Sequence, residues 1–129
     1  MTAEHFDIAT DAGRNFLTVS MRGHWTTETV NAYRKAVIAA VSGMLAAGTQ
    51  RGDLLTLVDA RDLNAQSQTV VADYKASMDR DGLVPRRLAT LVSSALLKRQ
   101  VDRIAIPNQR VFTEKTEAMA WLFAPADPE

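Results

Sequence analysis

The chain has 129 residues and carries 15 basic and 15 acidic side chains, so its formal net charge is zero. Hydrophobic residues make up 47% and charged residues 23% of the sequence, which is the composition of a folded protein and excludes a disordered chain. This length predicts a single domain that spans residues 1–129. The sequence contains no cysteine, which excludes disulfides and thiolate metal sites and leads us to expect a cytoplasmic protein.

Two further sequence patterns argue against a secreted or membrane-spanning protein and against nucleic-acid binding. The N-terminus contains acidic side chains and no apolar segment, and the longest uncharged run, residues 36–50, is interrupted by glycines. We therefore expect neither a secretory signal nor a membrane span.

Residues 82–110 carry six basic side chains and one acidic side chain, with no aromatic residue among them. We interpret this block as a solvated helix face and do not expect nucleic-acid binding.

The first third of the chain predicts a hairpin followed by a long helix. Apolar and polar residues alternate at 6–8 and 16–21, on either side of a turn cluster at 11–15, which is typical of two antiparallel strands. Gly23 closes the second strand. Thr26 or Thr27 is suited to cap the next helix, whose apolar residues recur every three or four positions until Gly48 ends it.

The rest of the chain predicts alternating strands and helices. Nearly continuous apolar runs at 54–58 and 88–92 are typical of strands covered on both faces, as in a parallel sheet. The first run leads through a polar connector at 60–66 into a helix that ends near Gly82. The second leads into a helix capped by Ser93 and Ser94 and broken at 107–108. A short strand at 111–112, a Thr113 cap, a helix at 114–122 and a tail frayed from about residue 124 follow.

This order, β-β-α-β-α-β-α-β-α, predicts an α/β domain with right-handed crossovers. The sheet is expected to be mostly parallel, with the N-terminal hairpin strand antiparallel. Leu96 and Trp121 have the spacing of core positions on the last two helices.

Three short segments carry a resemblance to a known family. They read GHWT at 23–26, LVDAR at 57–61, and VFT at 111–113 followed by AMAWL at 118–122. Together with the element order, they make residues 6–123 resemble the SpoIIAA-like fold of STAS domains, the group that contains anti-sigma-factor antagonists and the cytoplasmic domains of sulfate transporters. The last segment is similar to the ending of small stand-alone bacterial SpoIIAA-like proteins, a branch related to lipid-binding CRAL-TRIO domains.

The resemblance implies a SpoIIAA-like (STAS) fold and a non-enzymatic regulatory or binding module. Its partner would be another protein or a small ligand, and the alternative is a carrier-like domain for a small molecule or lipid. Anti-sigma-factor antagonists have an Asp-Ser-Ser-Gly stretch at the start of the second helix, where a partner kinase phosphorylates a serine. The chain has NAQSQT at 64–69 instead, so Ser67 and Thr69 are candidate phosphorylation sites without that motif, and the sigma-factor switch is less favoured.

The carboxyl ends of parallel strands are where ligands collect in open sheets. The predicted topology brings a candidate binding edge of eight residues there: His24, Trp25, Asp59, Arg61, Ser67, Ser93, Ser94 and Thr113. Asp59 is interpreted first as an acceptor for backbone N–H groups of the connector, with an acid/base or partner-binding role as the alternative. We interpret the serine pair as a helix cap rather than an anion site, since caps of this kind are common.

Motifs of common enzymes and metal sites are missing from the sequence. It has no Gly-rich phosphate loop, no G-x-S-x-G elbow and no H-E-x-x-H helix. His24 has no clustered ligands beside it in the sequence, so it is a poor metal ligand. We therefore predict no catalytic residue, no cofactor and no metal, and we expect a homodimer through an exposed helix or sheet edge.

Overall fold

The computed structural model describes residues 4–81, 85–104 and 106–125. In these ranges five strands form one sheet: β1 (Phe6–Asp11), β2 (Phe16–Gly23), β3 (Leu55–Leu63), β4 (Arg87–Leu91) and β5 (Gln109–Phe112). The four α-helices are α1 (Thr27–Ala46), α2 (Gln68–Asp81), α3 (Ala95–Ile104) and α4 (Lys115–Leu122). The α/β class and the predicted order of elements are confirmed.

The strands lie in the sheet in chain order, from β1 to β5. β1 pairs antiparallel with β2, and all other neighbours are parallel, as the sequence predicts. Each crossover from β2 to β5 therefore advances in the same direction. Because such crossovers are right-handed, α1, α2 and α3 all lie on one face of the sheet, which we call the three-helix face. The opposite face, covered in part by α4, is called the α4 face.

Alternation along the strands divides the core between these two faces. The cluster on the three-helix face includes Val19, Val58 and Leu88, and the cluster on the α4 face includes Leu57, Ala89 and Leu91. Leu57 and Val58 are adjacent in β3 and both are nearly inaccessible to solvent. This double burial explains why the run at 54–58 shows no alternation in the sequence.

Local sequence signals determine several element ends. Asn15 adopts a left-handed conformation (φ 55°) after a 3-10 turn between β1 and β2, a conformation that asparagine tolerates. Thr26 caps α1 in a reciprocal pair with Thr29. Gly48 has φ 112°, and the N–H groups of Gly48 and Thr49 bond to the carbonyls of Leu45 and Met44. These bonds form the Schellman motif that ends α1.

The end of β3 and the start of α4 differ from those predicted. β3 continues to Leu63, five residues past the predicted end, because its ladder with β2 persists through a bulge until Gly23 pairs with Leu63. The apolar run stops earlier because Arg61 and Asp62 are exposed at the strand end. α4 begins at Lys115, and its N-cap is Glu114 without a side-chain cap bond. The prediction that Thr113 caps this helix is therefore wrong.

Leu96 and Trp121 are not fully buried, although their spacing predicts core positions. Leu96 is 57% exposed on α3, because the apolar stripe of this short helix turns Leu97 and Val101 toward the sheet instead. Trp121 is half-buried on α4 and packs against the ring of Phe112. The guanidinium groups of Arg87 and Arg110 lie 5.6 and 5.5 Å from the Trp121 ring. The predicted helix end at Gly82 lies outside the described residues, as does most of the predicted frayed tail.

The basic block includes the outer side of α3. Lys98 is paired with Asp102 one turn away, with 3.1 Å between Nζ and Oδ2, and both side chains are about half exposed. Arg99 and Arg103 are also exposed on this helix. Three of the six basic residues of the block thus lie on a solvated helix face, as interpreted, whereas Arg86, Arg87 and Arg110 lie outside the helices.

Candidate functional site

A cavity of about 60 Å³ lies between the three-helix face of the sheet and helices α2 and α3. From the sheet it is lined by apolar residues and one threonine: Met21, Val58, Ala60, Leu63 and Thr90. From the helices it is lined by Val70, Val71 and Tyr74 of α2 and by Leu97, Gln100, Val101 and Ile104 of α3. Trp25, Gln66, Ile106 and Gln109 complete the lining. One water molecule needs a cavity volume of roughly 10–15 Å³. The cavity of about 60 Å³ therefore has room for a small molecule.

Gln66 closes the cavity at the carboxyl edge of the sheet. Its Oε1 accepts a hydrogen bond from the backbone N–H of Trp25 (2.7 Å), and its Nε2 donates to the carbonyls of Gly23 (3.0 Å) and Asn64. The backbone of Gln66 is bound in turn by the Gln100 side chain, through N to Oε1 (2.9 Å) and Nε2 to O (2.8 Å). One residue thereby joins the β2–α1 loop, the β3–α2 loop and α3.

Gly23 gives the β2–α1 loop its path into this network. Its φ of 76° lies in the left-handed region, which a residue with a Cβ adopts only with strain. A Cβ at this position would also lie 3.3 Å from Nδ1 of His5. This turn at the end of β2 presents the Gly23 carbonyl to Gln66 and directs Trp25 inward, where it is 6% exposed.

An aromatic cluster contributes two of its rings, Trp25 and Tyr74, to the lining of the cavity. The rings of Trp25 and Tyr33 are 5.2 Å apart, those of Phe6 and Tyr33 are 5.5 Å apart, and those of Tyr33 and Tyr74 stack at 5.8 Å. Burial raises the pKa of Tyr33 well above its ordinary value of 10.0 and also raises the pKa of Tyr74, so both phenols are neutral at pH 7.

A second polar group of the lining lies on the sheet. Thr90, which is 4% exposed in the middle of β4, donates a hydrogen bond from Oγ1 to Oε1 of Gln109 on β5 (2.8 Å). No Asp, Glu, Lys, Arg or His is among the lining residues in the described part of the chain. The arrangement can therefore hold an apolar molecule by packing.

The predicted binding edge is divided between the two faces of the sheet. Trp25 and Ser67 belong to the three-helix side: Trp25 lines the cavity, and Ser67 follows Gln66 directly. The exposed Ser67 caps α2, with its Oγ 3.2 Å from the N–H of Val70. Thr69 is exposed in the first turn of α2, and His24 is exposed beside Trp25.

Asp59 and Arg61 form a separate pair on the α4 side. The Arg61 Nε and Nη2 atoms donate to the two carboxylate oxygens of Asp59 at 2.9 and 2.7 Å, and the Arg61 backbone N–H donates to Oδ1 at 3.2 Å. These bonds lower the pKa of Asp59 below its ordinary value of 3.8. The carboxylate accepts the backbone bond that our first interpretation expected, although from within β3 rather than from a connector.

The two serines after β4 have different partners. Ser94 caps α3, since its Oγ accepts a bond from the N–H of Leu97 (3.1 Å). Ser93 donates its hydroxyl to the carbonyl of Arg61 (2.7 Å) and so joins the ends of β3 and β4. Thr113 is exposed after β5. Of the eight predicted edge residues, the cavity lining contains Trp25 alone among the described residues.

Sequence reasoning missed the polar residues that define the cavity: Gln66, Thr90, Gln100 and Gln109. Thr90 did have a signal, because it is the single polar residue in the apolar run at 88–92, and a polar residue inside a buried strand must find a partner. The three glutamines had none, since their roles depend on contacts between segments that are 19 to 43 residues apart in the chain.

In the described residues, no group of three or more His, Asp or Glu side chains is placed to hold a metal ion. Among the helices in those same ranges, none combines the length and the apolar character that crossing a bilayer requires.

Comparison with known proteins supports the fold. No protein-family model and no curated protein matches the chain. A solved structure does: the crystal structure of an uncharacterized protein from the DUF3478 family, with a SpoIIAA-like fold, from Shewanella loihica PV-4. It superposes with a TM-score of 0.68 and 19% sequence identity, over 95% of this chain and 98% of that one. The chain described here therefore has a SpoIIAA-like fold.

Proposed function

We propose that the chain is a non-enzymatic binding module that takes up a small, mainly apolar molecule between its sheet and helices α2 and α3. The observation that carries the proposal is the cavity of about 60 Å³, whose lining is apolar except for a few neutral groups. Small-molecule sites in proteins typically have this character, with few polar groups that fix the orientation of the ligand.

The chemistry of the lining favours binding over catalysis. Its polar side-chain groups in the described residues are the amides of three glutamines, the hydroxyls of Thr90 and Tyr74 and the indole N–H of Trp25. Amides and aliphatic hydroxyls do not titrate near pH 7, and burial raises the pKa of Tyr74 further from neutrality. General acid/base catalysis needs groups with a pKa close to the working pH.

The size of the cavity favours a small ligand over a lipid. An engineered cavity of about 150 Å³ takes up benzene, and the cavity here has less than half that volume. A lipid chain would therefore need α2 or α3 to move away from the sheet. The carrier-like alternative predicts such an opening, whereas a compact ligand needs none.

A regulatory role with a protein partner is the second candidate. It is favoured by Ser67, which is exposed and caps α2 directly after Gln66, the residue that closes the cavity. A phosphate at a helix N-terminus is stabilised by the free N–H groups and the helix dipole. Modification at Ser67 would therefore alter the surface beside the cavity. The expected homodimer stays a prediction.

The proposal is tested on the chain purified from its own host, beside the Ala60→Val variant. Ala60 lines the cavity and is 2% exposed, so the added methyl groups occupy the space of a ligand. We expect mass spectrometry of organic extracts to find a small molecule of low polarity in near-stoichiometric amount with the native chain and not with the variant. If the extracts of the native chain and of Ala60→Val contain the same small molecules in the same amounts, the proposal is contradicted. In that case phosphate on Ser67 in the intact mass would support the regulatory candidate.

A further inference from the structure

We propose that the outer edge of β5 is a docking site for an acidic polypeptide segment, which adds to the sheet as a further strand. The segment would run in an extended conformation beside β5 and place a carboxylate opposite Arg110. This inference goes beyond the proposed function, since it needs no ligand in the cavity.

The first observation is the way in which β5 pairs with its neighbour. β5 is the last strand of the sheet, and in the described residues it pairs with β4 alone. The N–H groups of Leu88 and Val92 donate to the carbonyls of Asn108 and Phe112, both at 3.0 Å. The even-numbered residues of β5 therefore direct their backbone groups to β4. In a parallel ladder the residues between them direct theirs to the opposite side.

Val111 and Thr113 are the residues whose backbone groups face outward at this edge. The N–H of Gln109, two residues earlier, is already bound to the carbonyl of Ile106 at 3.3 Å, but no such bond within the described residues uses the N–H of Val111 or of Thr113. Val111 is partly exposed and Thr113 is exposed. A strand edge of this kind is a template on which another extended segment can pair.

The charge beside the edge is positive on the α4 face. Arg110 is exposed, and its guanidinium group lies 5.5 Å from the ring of Trp121, with that of Arg87 at 5.6 Å. No carboxylate of the described residues forms an ion pair with either arginine, including Glu117, one turn before Trp121 on α4. The ring thus positions two cations that lack a counter-ion.

The helix beside the edge adds positive charge on the other face. α3 contacts β5 and exposes Arg99 and Arg103. Asp102 is the one acid in residues 87–112, and Lys98 already pairs with it at 3.1 Å. An added strand would therefore have basic side chains on both of its sides. This charge favours an acidic segment and disfavours a second copy of β5, which carries the same arginines.

Backbone pairing also explains why a polypeptide suits this edge better than a nucleic acid. The alternating donors and acceptors of β5 match those of another extended peptide, which a sugar-phosphate chain does not carry. Opposite Cβ atoms on paired strands are about 4.5–5.5 Å apart. A glutamate or aspartate opposite Arg110 is therefore within reach of its guanidinium group.

The probe is a heptapeptide in which glutamates alternate with valine and threonine, titrated into the ¹⁵N-labelled full chain at pH 7. We expect saturable shifts of the Val111 and Thr113 amides and slower hydrogen exchange of both, because they gain acceptors. Two matched peptides should not bind. One has lysine in place of each glutamate, and the other keeps the glutamates but carries N-methyl groups on its central amides.

Two variants test the chain's side of the contact. A partly exposed ion pair is worth up to about 1 kcal/mol, which corresponds to about fivefold in affinity. Arg110→Gln should therefore bind the acidic peptide up to about fivefold more weakly, whereas Lys35→Gln, at an exposed position on α1, should bind it as the native chain does. Val111→Pro removes the outward N–H without removing a ladder bond and should abolish binding. If that variant does not fold, the N-methylated peptide tests the same pairing.

Four results would contradict the inference: no binding of the acidic peptide, equal binding of the N-methylated or lysine peptide, equal weakening by Arg110→Gln and Lys35→Gln, or binding that persists in folded Val111→Pro. Stronger shifts of the same amides by oligothymidylate would assign the edge to nucleic acid instead and would also contradict it. None of these results bears on the cavity, so the proposed function stands or fails separately.

Discussion

The pair formed by Asp59 and Arg61 shows what single residues contribute at the carboxyl edge of the sheet. The two side chains stand two residues apart on one strand, so they project from the same face and meet in a bidentate ion pair. Arg61 is 42% and Asp59 23% exposed, which limits the stabilisation to at most about 1 kcal/mol. The pair therefore fixes the strand end more than it stabilises the molecule.

The pH dependence of stability tests this pair. Because the folded-state pKa of Asp59 lies below its ordinary value of 3.8, the pair stabilises the fold fully above that value and loses its effect as the pH falls through the folded-state pKa. We expect the difference in unfolding free energy between the native chain and Asp59→Asn to be constant above about pH 5 and to shrink toward pH 2. Denaturant melts across this range measure it.

A matched control for that measurement is Asp53→Asn, since Asp53 is exposed before β3 and forms no ion pair with other described residues. The unfolding free energy of Asp53→Asn should differ little from that of the native chain over the whole pH range. A difference for Asp59→Asn that does not change between pH 7 and pH 2 would show that the carboxylate is not stabilised by Arg61.

Ser67 supports a second prediction about single residues. As the N-cap of α2 it accepts the N–H of Val70, so Ser67→Ala should lower the unfolding free energy by about 1 kcal/mol. Ser67→Asp should stay within about 0.5 kcal/mol of the native chain, because aspartate keeps the cap and places negative charge at the helix N-terminus. Thermal melts compare both with Gln68→Ala at the exposed next position. A large loss for Ser67→Asp alone would exclude Ser67 as a site that tolerates phosphate.

At the level of elements, apolar patterns predicted the strands and helices well and their ends less well. The buried runs in β3 and β4 were recognisable because burial on both faces leaves a continuous apolar segment. The end of β3 was not recognisable in the sequence, because Arg61 and Asp62 continue the strand with exposed charged side chains. Thr113 looked like a cap, but α4 begins after Glu114 without one. Capping residues are common in loops, so their presence alone does not fix a helix start.

The two faces of the sheet provide a prediction about packing. Ala60 on β3 and Ala89 on β4 are both buried alanines, at 2% and 0% exposure, but Ala60 lines the cavity while Ala89 packs beneath α4. Ala60→Val should therefore raise the unfolding free energy by about 0.5–1 kcal/mol by filling space. Ala89→Val should lower it by about 1–3 kcal/mol through overpacking. If urea melts show that Ala60→Val and Ala89→Val lower the unfolding free energy equally, the space beside Ala60 does not exist.

For the whole molecule, the order of strands determines where a ligand can bind. Winding from β2 to β5 in one direction places three helices on one face, and α2 and α3 enclose a cavity with that face. The sequence predicted the fold and the carboxyl edge but not the cavity. The reason is physical: tertiary packing brings Gln66 to Gln100 and Thr90 to Gln109. No spacing of these residues in the sequence indicates those contacts.

The central claim, that this cavity accepts a small apolar molecule, is tested most directly by NMR under xenon pressure, because xenon enters apolar cavities without needing a hydrogen bond. We predict saturable shifts confined to lining residues such as Ala60, Val101 and Ile104. Ala60→Val should abolish these shifts, and Ala9→Val, at an exposed position on β1, should preserve them. Shifts that are absent, that concentrate elsewhere, or that persist unchanged in Ala60→Val would contradict the claim.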